Sequence, residues 1–121
     1  MNIILINKKE KVYSMFLDKY LNFTYLDLVY SNYDEDYINI IDQDNFNSVY
    51  NILKNNNFYF IEDIIIDYLE LFEMEDKYVE LAIVDIKSIL GDDYVKKIGS
   101  NMTLIDKIIE LAINYSEKDN D

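Results

Sequence analysis

The sequence contains no cysteine, histidine, arginine, proline or tryptophan among its 121 residues. Without cysteine there is no disulfide framework and no thiol nucleophile, and without histidine the usual zinc, copper and haem ligand sets are missing. Catalysis by a serine–histidine or cysteine–histidine pair is excluded for the same reason. The absence of arginine excludes an arginine finger and a bidentate guanidinium clamp on phosphate.

The sequence also suggests a calcium loop and a catalytic pair of carboxylates, but the residues present fit neither site. A calcium loop that starts at Asn32 would place ligands at Asp34 and Asp36. However, Tyr37 stands where that loop needs glycine, and Gln43 stands where it needs glutamate. Paired carboxylates act as acid and base only when one of them is buried, and the acids here fall on helix faces opposite the apolar stripe. We therefore expect no metal ion, no cofactor and no enzymatic activity.

Long apolar runs are also missing, since the longest extend over about four residues, far fewer than a membrane-spanning helix needs. The first of these runs, residues 3–6, precedes a pair of lysines, which is the reverse of the order in a signal peptide. We expect a protein that works away from membranes, in the cytoplasm of the host cell.

Acidic residues outnumber lysines by 24 to 11, which gives a net charge of −13. The excess is concentrated in residues 20–76, where 13 acids stand against one base, Lys54. An AT-rich genome would account for the many tyrosines and the missing arginines, but lysine codons are equally AT-rich, so it would not favour acids over bases. A negatively charged region attracts positively charged partners over a long range. It disfavours direct binding to nucleic acid, because the phosphates are also negative. The charge therefore predicts a surface that binds a basic protein.

The N-terminal part is expected to hold a small sheet. Residues 2–6 and 23–30 are rich in aliphatic, aromatic and β-branched side chains, which favour strands. A polar turn at 31–36 would lead to a returning strand at 37–42. Between the first two strands, residues 9–21 predict a helix because their apolar positions share one helical face.

The remaining chain is expected to be helical. Asp44 caps a helix that stops at the asparagine run 55–57. The clearest helix covers 61–72, where apolar residues follow the 3.6-residue period with acids on the opposite face. Further helices are predicted over 78–90 and 104–116.

Two glycines and a possible capping box predict where the C-terminal helices begin and end. Gly91 is expected just past the end of the 78–90 helix, which includes Ile89 among its inward residues. Gly99 is expected to end a short helical turn at 92–98, and Thr103 with Asp106 has the spacing of a capping box.

These elements predict one α+β domain. It comprises a small antiparallel or mixed sheet of two or three strands with one helix over residues 1–43, a mainly helical part over 44–116, and a frayed tail over 117–121.

The expected partner-binding residues are acids of the middle region and tyrosines near its turns, because tyrosine adds contact area at low entropic cost. The set is Asp34, Glu35, Asp36, Asp63, Asp67, Glu70, Glu73, Glu75, Asp76, Tyr33, Tyr37 and Tyr59.

In size and charge the chain resembles the DNA-mimic proteins that phages use against restriction and CRISPR nucleases. The resemblance implies an acidic inhibitor that covers the basic nucleic-acid-binding surface of a nuclease. An immunity protein or antitoxin that neutralises a cognate toxin is the first alternative. The second is a structural or adaptor subunit of a larger assembly, with an apolar helical face on which Ile66 and Met74 would be exposed.

Overall fold

A computed structural model of the chain describes residues 15–119, and every regular element in that range is a helix. The expected strand at 2–6, and the part of the expected 9–21 helix before residue 15, lie outside the described residues. The chain divides into two compact units, Met1–Ile40 and Ile41–Asp121. None of the described helices is both long enough and apolar enough to cross a membrane.

The described part of the N-terminal unit contains three short helices. They are a 3₁₀ helix at Met15–Lys19, α1 at Phe23–Asn32 and α2 at Glu35–Asn39. The cap of α1 is Asn22, whose side-chain oxygen accepts a hydrogen bond of 3.0 Å from the backbone N–H of Tyr25. Leu26 and Val29 then fall three residues apart on the buried face of α1.

The predicted sheet is wrong. Residues 23–30 form most of α1, and residues 37–42 contain the end of α2 and the turn that follows it. Aromatic and β-branched composition favours a strand only weakly, and tertiary packing overrides it. Here the cap at Asn22 and the helical spacing of the buried residues favour the helix. The fold of the described chain is therefore all-α instead of α+β.

The second unit is a cluster of five α-helices and one 3₁₀ helix. The elements are α3 at Gln43–Asn55, α4 at Ile61–Asp67, the 3₁₀ helix at Leu69–Glu73, α5 at Asp76–Leu90, α6 at Tyr94–Ser100 and α7 at Leu104–Asp119. The core includes the rings of Phe46 and Phe72, which stack with their centroids 4.5 Å apart. The most extensive helix pairing is between α5 and α7.

The predicted 61–72 helix is interrupted at Tyr68, whose φ of −138° and ψ of 48° are not helical. The chain continues as the 3₁₀ helix, and the predicted apolar stripe stays buried across the break apart from Tyr68, which is half-buried. Ile66 was expected on the surface but is only 7% exposed, because α4 is buried on more than one face, and Met74 is half-buried.

Several boundaries are confirmed and others shift. The helix α3 ends at Asn55, and Asn57 adopts the positive φ of 68° expected in that asparagine run. Asp42 caps α3 in place of Asp44, since its Oδ1 accepts from the N–H of Asn45. Gly91 ends α5 with a φ of 99°, which suits glycine.

Three further expectations in the C-terminal half differ from the structure. Gly99 lies inside α6 and does not end it. The Thr103 hydroxyl donates to Oδ1 of Asn101, and the N–H of Asp106 donates to the carbonyl oxygen of Thr103 and not to its side chain, so the expected capping box is not formed. Ile89 was expected to point inward but is 62% exposed.

Candidate partner-binding surface

Three of the predicted acids surround the start of α2 in the N-terminal unit. Asp34 precedes the helix without making a side-chain cap, and Glu35 and Asp36 occupy its first turn. Carboxylates at this end of a helix are stabilised by the helix dipole. The rings of Tyr33 and Tyr37 stack beside them with centroids 5.6 Å apart. Sequence placed these five residues at a hairpin turn, and the structure brings them together at a helix start.

The α2 start does not form the calcium loop considered from the sequence. Asn32 is the last residue of α1, and Asp36 lies within α2, so the oxygen-bearing side chains are not on one loop. Within the residues that the structure describes, no group of three or more acidic side chains is arranged to hold a metal ion.

The clearest acidic face in the second unit lies on α4. Glu62, Asp63 and Asp67 are exposed, whereas Ile64 and Ile65 between them are fully buried. None of the three acids has an ion-pair partner among residues 15–119. Sequence analysis predicted Asp63 and Asp67 as contact residues but omitted Glu62, although its exposure follows from the same helical spacing.

Glu70 and Glu73 lie on the 3₁₀ helix beyond the break at Tyr68. Both are exposed, but they no longer continue the face of α4 by helical spacing. Partial burial raises the pKa of Glu73. Burial also raises the pKa of the Tyr68 hydroxyl, and the carboxylates of Asp106, Asp67 and Glu70 raise it further. The electrostatic environment of Tyr68 is therefore negative.

Asp76 has a structural role that the sequence does not reveal. Its Oδ2 accepts a hydrogen bond of 2.6 Å from the Ser48 hydroxyl, and its backbone N–H donates to Oδ1 of Asn45. Asp76 is half-buried at the start of α5, and one of its carboxylate oxygens is hydrogen-bonded to α3. Its neighbour Glu75 is exposed and makes no side-chain cap.

Tyr59 is the most prominent aromatic side chain of the predicted set, with 69% of its surface exposed. Its neighbours Phe58 and Phe60 are buried, which forces the intervening side chain outward. The Tyr59 ring packs edge-on against Phe60 at 4.9 Å. A side chain at Gly99 would collide with its hydroxyl, since a Cβ there would lie 2.5 Å away. The ring is therefore held in place while its outer surface stays open.

Two ion pairs among residues 15–119 lie in the C-terminal part of the second unit. Lys97 pairs with Asp93 at 3.3 Å, and Lys107 pairs with Glu110 at 2.7 Å. Lys54, the one base of residues 20–76, is exposed and has no ion-pair partner in the described part of the chain. The acids of α4 are consequently not paired with any lysine among residues 15–119.

Comparison with protein-family models, with curated proteins and with solved structures finds no match to this chain.

Proposed function

We propose that this protein is a small acidic inhibitor that covers the basic nucleic-acid-binding surface of a target nuclease. The carboxylates of the α4 face would meet lysine and arginine side chains of the target in place of phosphates. Inhibition would be steric and electrostatic, with no chemical step. Because residues 20–76 carry almost all the excess charge, the inhibitor would be guided to its target over a long range.

The observation that carries this proposal is the exposure of Glu62, Asp63 and Asp67 on α4 without an ion-pair partner in the described chain. Three neighbouring carboxylates repel one another, so a protein that needed charge only for solubility would intersperse lysines among them. The arrangement is favourable when a basic surface supplies the missing positive charges.

An immunity protein or antitoxin that blocks a cognate toxin would use the same acidic face. The two functions differ in the partner, which would be a host defence nuclease in the first case and one toxin encoded beside this gene in the second. Very high affinity and slow dissociation are characteristic of immunity complexes.

The hypothesis of an adaptor subunit loses part of its original support, since Ile66 is buried and Met74 is half-buried. Exposed apolar side chains do occur on α5, at Leu81, Val84 and Ile89. Docking through α5 would bury apolar area and would be insensitive to salt, in contrast to docking through carboxylates.

The experiment is affinity capture from nuclease-treated host extract with two matched baits. One bait carries Glu62→Gln, Asp63→Asn and Asp67→Asn on α4, and the control bait carries Glu80→Gln, Glu110→Gln and Glu117→Gln. The control acids are exposed and the change in net charge is identical. We expect a nucleic-acid enzyme on the wild-type and control baits and its loss from the α4 bait. A partner retained equally by all three baits in high salt would refute the proposal.

A further inference from the structure

A groove of about 420 Å³ lies beside Tyr59, at the end of the second unit where α3 stops and α6 begins. Its volume is within the range of small-molecule sites. It is formed by the asparagine run that follows α3, the C-terminal turn of α5 and the first residues of α6. None of its walls belongs to the acidic face of α4.

Two of the groove's side chains are lysines without a partner. Lys87 and Lys96 line it and make no ion pair or side-chain hydrogen bond with the residues that the structure describes. Lys97, the neighbour of Lys96, is by contrast held by Asp93 and by the carbonyl oxygen of Leu90 at 2.6 Å. Two aspartates, Asp92 and Asp93, also line the groove, and Asp93 is the one paired with Lys97. Two unpaired ammonium groups therefore stand against one carboxylate, a balance that favours a single anionic group there.

The asparagines of the groove divide into one that supports the structure and two that do not. Asn56 donates to the carbonyl oxygen of Ile52 at 2.7 Å, and its Oδ1 accepts from the buried Tyr94 hydroxyl at 3.3 Å. The side chains of Asn55 and Asn57 have no hydrogen-bond partner in the described part of the chain. Each amide therefore offers one acceptor and two donors at the groove, the complement of a heterocycle that carries both.

Tyr59 supplies an aromatic wall. It lines this groove and also a smaller hollow of about 190 Å³. Since the ring is fixed by Phe60 and by the close approach of Gly99, a planar ligand would stack on it with little loss of side-chain entropy.

From these contacts we infer that the groove binds a small ligand that joins one anionic group to a planar, hydrogen-bonding ring, as a nucleoside monophosphate does. Lys87 and Lys96 would hold the phosphate, Asn55 and Asn57 the edge of the base, and Tyr59 its face. The carboxylate of Asp92, which also lines the groove, and the net charge of −13 act against additional phosphates. This inference is independent of the acidic inhibitor function.

The test is a titration of the intact protein, followed by NMR of the asparagine side-chain amides and by calorimetry. The probes are adenosine and guanosine monophosphate, inorganic phosphate, each nucleoside, the triphosphates and a 5′-phosphorylated oligonucleotide. At least one monophosphate is expected to bind about tenfold more tightly than phosphate or its nucleoside, and more tightly than its triphosphate, with shifts at Asn55 and Asn57. Tighter binding of triphosphate or oligonucleotide would overturn the inference, because charge alone would then explain the affinity.

Matched variants locate the site. Lys87→Gln with Lys96→Gln should weaken monophosphate binding about tenfold or more, whereas Lys107→Gln with Lys118→Gln on α7 should not, although the net charge changes equally. Asn57→Gly keeps the positive φ and removes the amide, so it should weaken the nucleotide and leave phosphate unchanged. An equal loss of monophosphate affinity in the two double lysine variants would refute the site. The absence of any asparagine amide shift at about 10 mM monophosphate would also refute it.

Discussion

The hydroxyl of Tyr78 donates a hydrogen bond of 2.8 Å to Oδ2 of Asp119, which joins the start of α5 to the end of α7. A second bond of the same kind, from Tyr115 to Oδ2 of Asp85, joins the two helices again. Each bond spans two helices whose buried faces already pack together. The pair of bonds also explains why α7 remains helical to Asp119, three residues beyond the end predicted from the sequence.

These two bonds predict a dependence of stability on alkaline pH. The hydrogen bond to Asp119 raises the pKa of Tyr78, and the hydrogen bond to Asp85 raises that of Tyr115. The folded state thus favours the neutral phenols. The resulting stabilisation is complete below 10.0, the pKa of tyrosine in the unfolded chain. It is lost as the pH rises through the higher pKa of the folded state. Chemical denaturation of the wild type should show the free energy of unfolding falling above pH about 10. The fall should be less steep in the double variant that carries Tyr78→Phe and Tyr115→Phe. Equal slopes would contradict the assignment.

Asn45 links α3 to the turn before α5 through three hydrogen bonds. Its Nδ2 donates to the carbonyl oxygens of Phe72 at 3.0 Å and Met74 at 2.7 Å, and its Oδ1 accepts from the N–H of Asp76 at 3.0 Å. Asn45→Ala should therefore lower the free energy of unfolding by about 1–3 kcal/mol, because part-buried backbone groups lose their partners. The control is Asn51→Ala at an exposed position of the same helix, which should change stability little. Similar losses in urea denaturation for both variants would exclude the proposed role.

Gly99 and Tyr59 are expected to be coupled. Alanine in a helix interior normally stabilises by about 0.5–1 kcal/mol relative to glycine. At this position the new Cβ would meet the Tyr59 hydroxyl at 2.5 Å and Phe60 Cε1 at 3.1 Å. Gly99→Ala should therefore bring no gain in the wild type and should become more favourable in a Tyr59→Ala background. A double-mutant cycle by thermal denaturation measures this coupling, and strict additivity would contradict the contact.

The unbalanced charge should make folding sensitive to salt. Like charges repel in the compact state, and salt screens this repulsion with a Debye length of about 8 Å at physiological ionic strength. The melting temperature should rise between low and physiological salt. The rise should be smaller after neutralisation of Glu62, Asp63 and Asp67 than after neutralisation of Glu80, Glu110 and Glu117, because lysines lie closer in sequence to the second set. Equal salt responses would show that the α4 acids are not specially repulsive.

The helical half of the fold was predictable because its amphipathic stripes are long and ended by recognisable signals. Asn57, at the end of the asparagine run, and Gly91 both adopt the positive φ that their residue types favour. The helix α1 was not predictable, because it contains aromatic and β-branched residues that are typical of strands. The deciding signal is one capping side chain, Asn22. The break at Tyr68 has no glycine or proline to announce it and is set by tertiary packing.

The candidate surface was predictable to the extent that it follows helical spacing. The exposure of Asp63 and Asp67 is confirmed for that reason. The hydrogen bonds between Asp76 and α3 were not predictable, since the partners Asn45 and Ser48 lie 31 and 28 residues away in the chain. The groove beside Tyr59 was missed because it is built by three segments whose lysines and asparagines look like ordinary surface residues until they are brought together.

The most direct test of the proposed inhibitor is the association rate constant for the captured partner, measured at low and physiological salt by surface plasmon resonance. The α4 variant and the control variant with equal net charge are compared with the wild type. We predict that the rate falls steeply with salt for the wild type and the control, and that the α4 variant is slow and nearly insensitive to salt. An identical rate and salt dependence for all three proteins would contradict the central claim that the exposed carboxylates of α4 form the binding surface.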